Sequence, residues 1–79
     1  MKTEFEVLGL SRVKGTGNDG KPYDYYKAHI AYRSQWVDGL AVAVVSMSCV
    51  DVVDRNIFVG SRLEGLLVNV NGRIRLYFV

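Results

Sequence analysis

One cysteine, one proline, one histidine and one tryptophan are all that 79 residues supply of those four types. Cys49 alone has no partner for an internal disulfide, and a reducing compartment suits such a chain. No Cys/His spacing of the zinc-binding kind occurs, so we expect no metal and no cofactor. A single proline and the lack of any low-complexity run argue against disorder. No apolar run is long enough to cross a bilayer; the longest, Leu40–Val50, also contains Ser46 and Ser48. The opening MKTEFEVLGL carries acids where a signal peptide would carry its apolar stretch. A soluble, cytoplasmic protein is the expectation. Catalytic constellations are missing too. His29 has no spaced partner, and Cys49 sits in an apolar segment, where it reads as a small buried side chain. Asp51 and Asp54 read as solvated carboxylates, so we expect no enzyme.

What is present is strand-forming. Val, Tyr, Phe and Ile are frequent, and a chain of this length makes one domain with a modest core. Lys2–Arg12 reads as a strand whose apolar face changes around Leu8–Gly9, which predicts a bulge or sharp bend. Gly15–Gly20 reads as a flexible loop, Pro22 as the start of a second strand, and Ser34–Gly39 as a turn. Leu40–Val50 reads as a long apolar strand. Asp51–Gly60 stays open between a loop with a short strand at Ile57–Val59 and a turn of helix. Asn71-Gly72 between apolar runs marks a hairpin, pairing Val70 with Arg73, Asn69 with Ile74 and Leu67 with Leu76. Gly65 would then face Phe78.

Five strands, no convincing helix and frequent glycines predict an all-β protein, a small five-stranded barrel, either OB-like with Greek-key connections or SH3-like. In the last hairpin, Ile74, Leu76 and Phe78 point inward and Arg73, Arg75 and Tyr77 outward. Leu66, Val68 and Val70 share that outward side, so the strand is apolar on both faces. Two covers are open: a second subunit in a symmetric homodimer, or a sheet that curls until both faces are internal.

The net charge is only +2, but its distribution is uneven. Arg12, Lys14, Lys21, Lys27 and Arg33 stand against Asp19 and Asp24, a local balance of +3. Asp38, Asp51, Asp54 and Glu64 stand against Arg55 and Arg62, a balance of −2. Along Tyr23–Arg33 one set of alternate residues is Tyr23, Tyr25, Lys27, His29, Ala31 and Arg33. The other is Asp24, Tyr26, Ala28, Ile30 and Tyr32, which suits a core. Rings interleaved with cations on a wet face match what unpaired nucleic acid needs, because rings stack on bases and cations follow phosphates. Trp36 reads as a plug for one end of the barrel rather than as a ligand anchor. Gly15-Thr16-Gly17-Asn18-Asp19-Gly20 spells GxGxxG, but Lys21-Pro22-Tyr23 continues extended where a dinucleotide site needs a helix. We read those glycines as a hairpin tip.

Gly20-Lys21-Pro22-Tyr23 after a Gly/Asn-rich basic loop, with the late hairpin Val68-Asn69-Val70-Asn71-Gly72-Arg73, resembles the gene-five-type single-stranded-DNA-binding proteins of filamentous phages. The resemblance follows the order of elements over most of the chain and is letter-for-letter only at GKPY. It implies an OB-like barrel, a symmetric dimer, and cooperative coating of viral single strands with little sequence preference. By that resemblance Lys21 and Tyr23 contact DNA, and Lys14 matches a basic residue of the DNA-binding loop loosely. The departures are the low net charge and a sequence reaching Val79 with no basic tail, which imply weaker affinity or another ligand.

The expected site is therefore Lys14, Lys21, Tyr23, Tyr25, Lys27, Arg33, Arg73 and Arg75, holding single-stranded DNA without catalysis. RNA stays open as ligand, since stacking and phosphate contacts do not read the sugar. The alternative is a small barrel that docks a protein partner and binds no nucleic acid.

Overall fold

β-Branched and aromatic segments become strands here; Gly17 follows the first, Pro22 opens the second, the capping Ser48 ends the third and Asn71-Gly72 ends the fourth. The computed structural model describes residues 2–78. Its elements are β1 (Thr3–Thr16), β2 (Pro22–Arg33), β3 (Leu40–Ser48), α1 (Cys49–Asp54), β4 (Arg62–Val70) and β5 (Arg73–Tyr77). All pairings are antiparallel, in the order β3-β2-β1-β4-β5, and the sheet is not closed into a barrel. It curls so that the edge strands β3 and β5 face each other across an open seam.

The bulge falls where the apolar pattern slips. Val7 pairs with Ile30 and Gly9 with His29, leaving Leu8 as the extra residue. Phe5 and Val7 before it and Leu10 after it all pack on the core, while Leu8 is left exposed. Val7 also anchors the entry to β4: its N–H donates to Ser61 O (2.9 Å) and its C=O accepts from Gly60 N–H (2.8 Å). The core comprises Phe5, Val7, Ala28, Ile30, Val45, Met47, Val52 and Ile57.

Several expectations are corrected. Of the two alternatives for Asp51–Gly60 the helical one forms, as α1, but it begins already at Cys49, where the third strand was expected to run on to Val50. Ser48 ends it instead: its Oγ accepts from Asp51 N–H (3.1 Å) and donates to Asp51 Oδ2 (3.0 Å), which caps the helix. Six residues are too few for a 3.6-residue period to show, and Val52 and Val53 disfavour helix, so burial of Val52 decides the local structure. Cys49 thus begins a helix and is half-buried, and Ile57–Val59 forms no strand. Trp36 is no plug. The Ser34–Gly39 turn, held by Trp36 N–H donating to Ser34 Oγ (3.3 Å), carries an indole that is 85% exposed. The loop at Gly15–Gly20 is also shorter than expected, because β1 continues through Gly15 and Thr16.

The last hairpin has the expected register, with Val70 opposite Arg73, Asn69 opposite Ile74 and Leu67 opposite Leu76. Asn71 (φ 52°) and Gly72 (φ 82°) are both left-handed, as a type I′ turn requires, and Asn69 Oδ1 accepts from Gly72 N–H (3.0 Å). The strand β5 stops before Phe78, and the space at Gly65 is taken by Leu76 and Phe5. Curling covers the outward side of β4 only in part: Leu66 and Val70 are half-buried and Val68 is exposed.

Candidate nucleic-acid interface

Cross-strand partners share a face, so the ladder assigns each side chain to a side. Tyr23 sits opposite Gly15, Tyr25 between Val13 and Ser48, Lys27 between Ser11 and Ser46, and His29 between Gly9 and Val44. This is the outer face. Ala28 and Ile30 point to the core, with Tyr26 and Tyr32 packed beside them. Ala31 departs from the alternation in burial, though not in direction: it lies between Glu6 and Val42 and is covered.

Beyond the Tyr25–Ser48 pair, β1 and β2 run on alone as an arm, and the molecule measures 43 × 29 × 21 Å. Two side-chain contacts lie on that arm. On its outer face the rings of Tyr23 and Tyr25 lie 6.2 Å apart and tilted by 46°, and Tyr23 remains 44% exposed. Gly15 makes room for them, since a Cβ there would stand 2.6 Å from Tyr23 Cζ. On the other face Arg12 grips Asp24 in bidentate fashion, Nε to Oδ1 at 2.9 Å and Nη2 to Oδ2 at 2.6 Å. Those hydrogen bonds hold the Asp24 carboxyl down at about 2, helped by the Cys49 thiol and by Arg12 and Lys14 charge, against desolvation. The Arg12 guanidinium is correspondingly pushed up, chiefly by its hydrogen bond to Asp24. At the tip, Lys21 is pinned by its backbone: its N–H donates to Asp19 Oδ1 (3.0 Å) and its C=O accepts from Gly17 N–H (2.9 Å).

The outer face leads from the arm into the seam. A groove of about 840 Å³ lies between the two edge strands, walled by Val42, Val44 and Ser46 on β3 and by Arg73, Arg75 and Tyr77 on β5. Lys27 also lines it, and among the described residues no acidic one does.

The eight sequence-selected residues therefore fall into groups. Lys27, Arg73 and Arg75 meet at the seam, and Tyr23 and Tyr25 lie along the same face of β2 as Lys27. Lys21 is exposed at the tip of the arm. Lys14 pairs with Asp24, which puts it on the face opposite the two tyrosines. Arg33 lies apart, in a smaller hollow of about 390 Å³ that also contains Glu4, Glu6 and Arg62. Sequence reasoning overlooked the Arg12–Asp24 clamp, although opposite charges near the ends of two hairpin strands are a readable signal. It also overlooked the Val42, Val44 and Ser46 wall, because Leu40–Val50 looked apolar on both sides.

Among the described residues no group of three or more His, Cys, Asp or Glu side chains is placed to hold a metal, and no helix is long and apolar enough to cross a membrane. Comparison with family models, curated proteins and solved structures finds no match to this chain.

Proposed function

We propose that this protein binds single-stranded nucleic acid, with DNA as the leading ligand, without sequence preference and without catalysis. One observation carries the reading: a single outer face bears Tyr23, Tyr25 and Lys27 and opens into a groove whose charged lining residues, Lys27, Arg73 and Arg75, are all cationic. Bases stack on the tyrosines of the arm, and phosphates run along the cations. Lys21 adds charge at the tip. The fold reading that goes with this is a partly open OB-like barrel. Closing the seam would give the strand cycle 1-2-3-5-4, and OB-like barrels take oligonucleotides on the second and third strands and on the two loops that flank them here, at Gly17–Lys21 and Asn71-Gly72. The resemblance to phage helix-destabilising proteins points the same way and extends the proposal to a cytoplasmic role in coating replicative single strands, with the protein as a homodimer.

Titration of a labelled single-stranded oligonucleotide at several salt concentrations tests the reading. Affinity should fall with salt at a slope of roughly −0.7 per neutralised phosphate, and duplex of equal length should bind more weakly. A salt-independent signal, no binding at low salt, or equal affinity for duplex overturns it. The rival, a protein-docking barrel, draws on the exposed apolar residues of β3 and on the outward side of β4; it predicts a partner complex that oligonucleotide does not compete.

A further inference from the structure

The two walls of the seam differ in chemistry. The strand β3, Leu40–Ser48, contains no charged residue, and its outward positions are Leu40, Val42, Val44, Ser46 and Ser48. Val42 is 65% exposed and Val44 48%. Exposed branched side chains on an edge strand are a liability that proteins commonly blunt with lysine, and this edge has none. The facing strand β5 alternates the other way, with Arg73, Arg75 and Tyr77 outward. The groove thus presents an uncharged apolar wall to a cationic one, with Ala43, Ile74 and Leu76 also lining it.

A ligand that satisfies both walls must be apolar along one side and anionic along the other. A duplex offers only phosphates, because its base faces are stacked inside. Polyphosphate offers only charge. An unpaired strand has both edges. Resting on the nucleic-acid reading above, we propose that the seam sorts a single strand by chemistry, with base faces packed on Val42 and Val44 and phosphates held by Arg73 and Arg75. Aliphatic contact with bases at these valines is a second recognition element, separate from stacking on Tyr23 and Tyr25.

The test compares binding of an oligothymidylate with that of an abasic oligomer of equal length, by anisotropy of the labelled strand. Wild-type protein should prefer the oligothymidylate. The double variant Val42→Thr, Val44→Thr keeps branching and strand preference but removes a methyl from each wall position. It should weaken oligothymidylate binding about tenfold, from two partial burials lost, with abasic binding and salt slope unchanged. Arg75→Gln should weaken both ligands equally and flatten the slope by about 0.7. The single variant Val44→Thr, with an expected loss of about threefold, serves if the double variant loses its wild-type circular dichroism. A folded threonine variant that keeps the wild-type preference, or that loses both ligands equally, overturns the inference while leaving the nucleic-acid reading intact. Wild-type protein that binds neither strand at low salt overturns the nucleic-acid reading itself, and the inference with it.

Discussion

At the scale of single residues, two small features set the arm. Gly15 lacks the Cβ that would collide with the Tyr23 ring, and its backbone is ordinary for a strand, so alanine is tolerated there once the ring moves. Gly15→Ala should leave the thermal midpoint almost unchanged while lowering oligonucleotide affinity. A midpoint drop of many degrees would show that the ring position is structural instead. The second feature is the Arg12–Asp24 clamp. A carboxyl held at about 2 in the folded chain, against 3.8 ordinarily, contributes stability that is fully present above 3.8 and is lost as pH falls toward 2. Asp24→Asn should therefore lower the thermal midpoint at neutral pH, and the gap from wild type should shrink as pH falls from about 4 to about 2. A gap that persists at pH 2 would assign the loss to packing rather than to ionisation.

At the scale of elements, close approach is the recurrent constraint. A Cβ at Gly65 would stand 2.6 Å from Leu76 Cδ1 and 3.0 Å from Tyr77 O, so a side chain there would displace the Leu76 tip and press on the β5 backbone. Gly65→Ala should destabilise the protein by about 1–3 kcal/mol through overpacking, read as a lower urea midpoint with unchanged m-value. The last hairpin was legible in the sequence because Asn71-Gly72 fixes both its turn type and its register. The bulge at Leu8 was legible because a one-residue slip exchanges the faces of every later side chain. Helix α1 was legible only as one of two alternatives for Asp51–Gly60, since its residues prefer strand and only the Ser48 cap and the burial of Val52 overrule them. The site divided along the same line. Alternation along β2 gave the faces of Tyr23, Tyr25 and Lys27, but the seam that joins Lys27 to Arg73 and Arg75 depends on how the whole sheet curls, which no local pattern encodes.

At the scale of the whole molecule, Arg73 and Arg75 line the β5 wall of the seam, while Glu4 and Glu64 face each other directly across β1 and β4. Like charges directly opposite each other are unfavourable, so this pairing costs stability. The outward side of β4 remains to be covered, and a second copy is the cover we propose. Val68→Glu should then convert a dimer to a monomer in sedimentation, with the circular dichroism preserved; a wild-type monomer at high concentration would remove that proposal. Trp36 carries a separate consequence. The chain's only indole already stands in water in the native state. Its emission should be red-shifted from the outset and should barely change on melting, so a fluorescence trace would look flat while the sheet comes apart.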